Sequence, residues 1–190
     1  MKTIKKMTLV VLMFVTTLSY AGKRTAGTLS KVTKVEFVNV KEGQQLLVKD
    51  SNGLILHSET VKSSGNLSKI FDLKQLKDGK YTLELIKDFE IIIKPFEIRS
   101  NGIVFYKKRK KKEFKPVMRI DNDKLLLSQM TLESNLIEVE IYYGDSLIHS
   151  ENIKGEKTMN RIYKFSETES GDYQAIIRTD GRTYVKHFNL

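Results

Sequence analysis

From residue 32 onward the hydrophobic positions fall in short runs or in strict alternation, the patterns of β-strands. Leu46-Leu47-Val48, Leu54-Ile55-Leu56, Lys69-Ile70-Phe71, Tyr81-Thr82-Leu83-Glu84-Leu85 and Glu90-Ile91-Ile92-Ile93 are the first such runs. Turn-forming residues separate them: Asp50-Ser51-Asn52-Gly53, Ser63-Ser64-Gly65-Asn66 and Lys77-Asp78-Gly79. Further along, Ile137, Val139 and Ile141 alternate with Glu138, Glu140 and Tyr142, which predicts a strand with one buried face. Tyr143-Gly144-Asp145-Ser146 then turns the chain back into Leu147-Ile148. No long run has the helical period of 3.6; only Asp72 to Lys77, around Leu73 and Leu76, could form a single helical turn. The expected fold is all-β, with short antiparallel strands stacked as a sandwich.

Sliding the chain over itself gives one register, an offset of 92. His57-Ser58-Glu59 falls on His149-Ser150-Glu151, Gly79-x-Tyr81 on Gly171-x-Tyr173, and Lys94-x-Phe96 on Lys186-x-Phe188. Residues 53–98 align with 145–190 without a gap, and ten of the 46 pairs are identical. That period is too long for a solenoid, whose repeats run roughly 20–50 residues. It predicts two tandem copies of one small Ig-like, Greek-key sandwich, at 32–98 and 117–190, joined by a basic segment at 99–116. At this size a lone core is marginal, so the copies are expected to lean on each other or on another chain.

The unit Asp50-x-x-Gly53-Leu54-Ile55, followed by Phe71-x-Leu73-x-x-Leu76-x-x-Gly79-x-Tyr81-x-Leu83-x-Leu85, resembles a known family. It is similar to the small Ig-like modules of the type IX secretion C-terminal sorting domain and related secreted bacterial modules. The second copy keeps Gly171-x-Tyr173 but has Thr168 where the first has Leu76. The resemblance implies an Ig-like sandwich, and for the second copy it implies an alternative role as a secretion tail. The motifs are turns and core positions, so they speak to fold more than to function.

The first twenty-one residues read as a signal peptide: Lys2, Lys5 and Lys6, then the apolar Met7 to Leu18, then Ser19-Tyr20-Ala21 with cleavage after Ala21. Residues 22–31 form a leader ahead of the first sandwich. The destination is therefore export, to the periplasm, the outer surface or the medium, with no transmembrane segment in the mature chain. The 190 residues contain no Cys, which excludes thiol catalysis, thiolate metal sites and disulfides. Removing three lysines lowers the net charge from +10 to +7.

Nearly all of that charge sits in Lys107-Lys108-Arg109-Lys110-Lys111-Lys112. Two readings of this run stay open: a solvated joint with no partner, or a docking site for polyanions such as anionic lipid, acidic polysaccharide or extracellular DNA. A lysine run reads charge, not base sequence, so sequence-specific nucleic acid is excluded as a partner. Another protein, met along an edge strand, is the other partner considered. Gly144-Asp145-Ser146-Leu147 spells a hydrolase nucleophile block, but it falls on a predicted hairpin turn and lacks the histidine spacing that block requires. His57 and His149, single histidines at equivalent positions of the two copies, make no metal site. No cofactor and no catalytic residue are expected. The sequence thus predicts an exported, non-enzymatic binding or structural module of the cell envelope.

Overall fold

The computed structural model describes residues 32–100, 102–132, 136–155, 157–166 and 170–190; the signal peptide, its cleavage at Ala21 and the 22–31 leader lie outside them. Within the described residues the fold is all-β: fifteen strands, every pairing antiparallel, and one 3-10 turn at Lys107–Arg109. In the N-terminal half, β1 (Val32–Val40) pairs with β4 (Gly65–Asp72). The facing sheet runs β3 (Ile55–Thr60), β2 (Gln45–Asp50), β5 (Gly79–Ile86) and β6 (Glu90–Arg99). Both β7 (Gly102–Phe105) and β8 (Lys111–Phe114) then share the far edge of β6.

The C-terminal half repeats this order. One sheet is β9 (Val117–Asp121), β10 (Lys124–Met130) and β13 (Thr158–Lys164). The other is β12 (Ser146–Ile153), β11 (Ile137–Tyr143), β14 (Asp172–Thr179) and β15 (Arg182–Asn189). In each half the chain leaves the smaller sheet for a hairpin in the larger one, returns for one strand, and crosses again. That is the Greek-key path of an Ig-like sandwich.

Registers agree at the offset of 92. Val32 faces Asp72 as Lys124 faces Lys164, and Lys80 faces Glu97 as Asp172 faces Asn189. β11 sits one residue further along: Val48 faces His57, whereas Ile141 faces His149. The hairpin turn explains the step. In the first half Asp50 Oδ1 accepts from the backbone N–H groups of Asn52 (2.8 Å) and Leu54 (2.9 Å), and Gly53 takes a left-handed φ of 84°. In the second, Gly144-Asp145 makes a tighter two-residue turn between Tyr143 and Ser146.

Each sandwich buries one core between its sheets. Leu46, Val48, Leu83, Leu85, Phe96 and Ile98 meet Val35, Phe37 and Phe71 in the first half. Ile137, Val139 and Ile141 are at most 1 % exposed, the face their alternation predicts. The Gly-x-Tyr motif works alike in both. Tyr81 stacks on Phe96 and Tyr173 on Phe188, each with ring centroids 5.5 Å apart. The Tyr81 hydroxyl donates back to the Lys77 carbonyl at 2.8 Å, which pins the turn that starts β5.

Half of the basic segment 99–116 is strand. Ile103 and Phe105 pack against the first core, and β8 pairs with the start of β6. The open edge of β6 supplies backbone partners that outweigh the self-repulsion of the basic run. Phe96 lies between Tyr81 and Phe105 and is 1 % exposed. Urea denaturation of Phe96→Ala should show a loss of about 3–5 kcal/mol, whereas Ile70→Ala, at 67 % exposure, should stay within about 0.5 kcal/mol of the parent.

Candidate functional site

β7 and β8 lie on one edge of β6 but not in one register. Phe105 faces Phe96, so unbroken pairing would set residue 108 opposite Ile93; Lys111 stands there instead. Three residues are therefore looped out. The 3-10 turn takes up the slack, closed by the Arg109 N–H donating to the Tyr106 carbonyl at 2.8 Å. The Tyr106 N–H still bonds the Pro95 carbonyl at 3.0 Å, and the Lys115 N–H bonds that of Phe89 at 2.9 Å. Both ends of the bulge are thus anchored.

This geometry divides the six cations. Lys107 begins the turn, and its side chain lies outside the described ones. Lys108, Arg109 and Lys110 are exposed and make no ion pair among the described residues; Arg109 lies over the Tyr106 ring, 5.1 Å from its centroid. Lys111 turns to the outer face of the sheet, 3.3 Å from Glu113 and 3.9 Å from Asp180. Lys112 is 2.8 Å from Glu90, and its hydrogen bond holds that carboxyl below the usual range against the opposing effect of burial. The sequence run is one block of charge; the structure leaves three of its members free for a partner.

Beside the bulge is a second feature that the run did not reveal. Lys34, Lys94 and Lys110 border a groove of about 600 Å³ whose other walls include Pro95, Phe105 and Tyr106. Burial pushes the Lys94 amine down from its ordinary value, and the nearby Lys110 adds to it. Lys94 is the residue that the repeat matched to Lys186, but nothing in that match signals a groove.

Two further polar clusters are structural. Arg182 at the start of β15 reaches the outer face of the N-terminal sheet, 3.0 Å from Glu84 and 2.8 Å from Glu113. Both carboxylates are under 10 % exposed, and Lys49 also touches Glu84 at 2.9 Å. Hydrogen bonds to the two carboxylates raise the Arg182 guanidinium further, against the burial that works to lower it. Nearby, the buried Gln129 amide donates to the Phe114 carbonyl (3.3 Å) and to Thr179 (3.4 Å). Glu84, flanked by Leu83 and Leu85, carried the sequence signal: a carboxylate inside a strand whose other face is also buried.

The shared His-Ser-Glu block has a mechanical use in both halves. Glu59 joins Lys69 at 2.5 Å, and Glu151 joins Arg161 at 2.9 Å, tying an edge strand of one sheet to an edge strand of the other. His57 and His149 lie 3.6 Å and 3.9 Å from these carboxylates. Among the described residues no group of three potential ligands could hold a metal ion. Gly144-Asp145 is the β11–β12 turn, which accounts for the hydrolase-like string, and Ser146 opens β12 on the surface.

No family model matches the chain, and no curated protein matches it. Among solved structures, one that is similar is described as a biofilm associated protein, BSP domain. It is 16% identical with a TM-score of 0.28, over 85% of this chain and 28% of that one. Another is native alpha-2-macroglobulin from Escherichia coli spanning domains MG0-NIE-MG1, 11% identical with a TM-score of 0.29, over 86% and 60% of the two chains. The chain thus spans less than two thirds of either structure.

Arg182→Met leaves Glu84 to Lys49 and Glu113 to Lys111 but removes the guanidinium they share, and thermal or urea unfolding should show a loss of about 2–3 kcal/mol. Adding Glu113→Gln should recover part of it. The carboxyls of Glu90 and Glu151 are held below their ordinary value of 4.5, in Glu151 by Arg161 and Tyr163 against burial. Their contribution is therefore complete above pH 4.5 and disappears as the pH falls through the lowered values. Urea midpoints measured from pH 6 to pH 3 should fall less steeply in Glu151→Gln than in the parent.

Proposed function

We propose that this chain is an exported, non-enzymatic binding module, two tandem Ig-like sandwiches that dock on a polyanionic surface through Lys108, Arg109 and Lys110. Its place of action is the periplasm, the cell surface or the medium. The observation that carries this reading is the three-residue bulge, which projects these cations from the edge of β6 with no carboxylate paired to them among the described residues. Lys111 and Lys112, by contrast, are neutralised within the fold. Three adjacent uncompensated cations on an anchored turn raise the local potential and draw anions by charge alone. Such a site needs no cofactor and reads no base sequence.

The test compares the mature chain with a Lys108→Gln, Arg109→Gln, Lys110→Gln triple variant on heparin and on anionic vesicles. Parent binding should weaken steeply with salt. At about 1 kcal/mol per cation, the triple variant should bind roughly 100-fold more weakly at low salt. Lys111→Gln with Lys112→Gln should leave binding within a few fold while lowering the unfolding midpoint. Unchanged binding by the triple variant would overturn the reading.

A further inference from the structure

We infer that the groove between β1 and the β6–β7 edge is a subsite for an acidic sugar of a glycan chain, held by Lys94 and Lys110 against Pro95, Phe105 and Tyr106, with Lys34 neutralising the Glu36 carboxylate in its wall. This rests on the polyanion reading above and names the ligand class.

One strand position filled in the C-terminal half has no strand in the N-terminal half among the described residues. In the C-terminal half β9 pairs with residues 124–128 of β10. The counterparts of those residues, 32–36, lie on β1, whose sheet has only β4 beside it among the described residues. The groove of about 600 Å³ lies along this edge. Its backbone does not wait for a strand. Lys94 Nζ donates to the Glu36 carbonyl, and Lys87 Nζ donates to that of Val38 at 3.5 Å. Lysines on an open edge discourage strand addition.

Charge then selects the occupant. Glu36, the carboxylate in the wall, is taken by Lys34 at 2.7 Å. Lys94 stands 3.9 Å over the Phe37 ring and, like Lys110, has no carboxylate salt bridge among the described residues. The Lys94 ammonium, lowered first by burial and then by the neighbouring Lys110, gains from an anion beside it. The groove sets these cations beside Pro95, Phe105 and Tyr106. A single headgroup with an acyl chain would need an enclosed apolar cavity. A sugar chain offers repeated carboxylates or sulfates together with C–H faces that pack on aromatic rings and proline.

Calorimetry with a heparin-derived hexasaccharide, short enough for one groove, tests the assignment on the mature chain. Lys94→Gln, and separately Lys34→Gln, should each weaken the hexasaccharide about tenfold with urea midpoints no lower than the parent's. Lys108→Gln with Arg109→Gln should weaken long heparin yet leave the hexasaccharide within about twofold. If Lys94→Gln and Lys34→Gln bind like the parent while Lys108→Gln with Arg109→Gln loses the hexasaccharide, the groove assignment falls and the docking bulge stands. If no variant alters binding of either probe, both readings fall. Binding to phosphatidylglycerol vesicles with none to the hexasaccharide would make the anion a lipid and overturn the glycan assignment.

Discussion

A single guanidinium, that of Arg182, neutralises two carboxylates buried on the outer face of the N-terminal sheet. A sandwich of about seventy residues buries too little surface to be robust alone. Here the C-terminal half closes against the N-terminal one through Arg182, through Asp180 to Lys111, and through Gln129 to the Phe114 carbonyl. Burying Glu84 and Glu113 without that cation would be strongly unfavourable. The position of β8, which carries Glu113, therefore depends on the contact, and so does the bulge that β8 terminates.

The bulge follows from competition between pairing and charge. Six adjacent cations cannot all find carboxylates, and a strand alternates its faces. Lys111 and Glu113 turn to the outer face near Asp180, whereas Lys112 reaches Glu90. The remainder is expelled as a 3-10 turn between Tyr106, bonded to the Pro95 carbonyl, and Lys111, paired with Ile93. Free cations on an anchored support are pre-organised, so little ordering entropy is lost when an anion arrives.

Positions that match at the offset of 92 separate what both halves need from what each does alone. The Tyr–Phe stacks and the Glu–Lys or Glu–Arg ties between edge strands recur with nearly the same geometry. Phe37 and Gln129 share one position and diverge: the first packs in the core beneath the Lys94 ammonium, the second bonds across to the Phe114 carbonyl.

The sequence by itself determined the strands, their turns and the buried faces, because period-two alternation and the Asp-x-x-Gly and Gly-x-Tyr turns are local properties of the chain. Ile137, Val139 and Ile141, Tyr81 and Tyr173, and the shared offset were all legible in that way. Three things were not. A run of like charges does not say which members will find carboxylates, since Glu90 and Asp180 are brought to Lys112 and Lys111 only by long-range pairing. The lysines of the groove come from β1, β6 and the bulge, which only strand pairing brings together. Arg182 meets Glu84 and Glu113 across 98 and 69 residues of chain. Only the tertiary structure decides such contacts, because charge acts through space and local pattern carries no distance between remote segments.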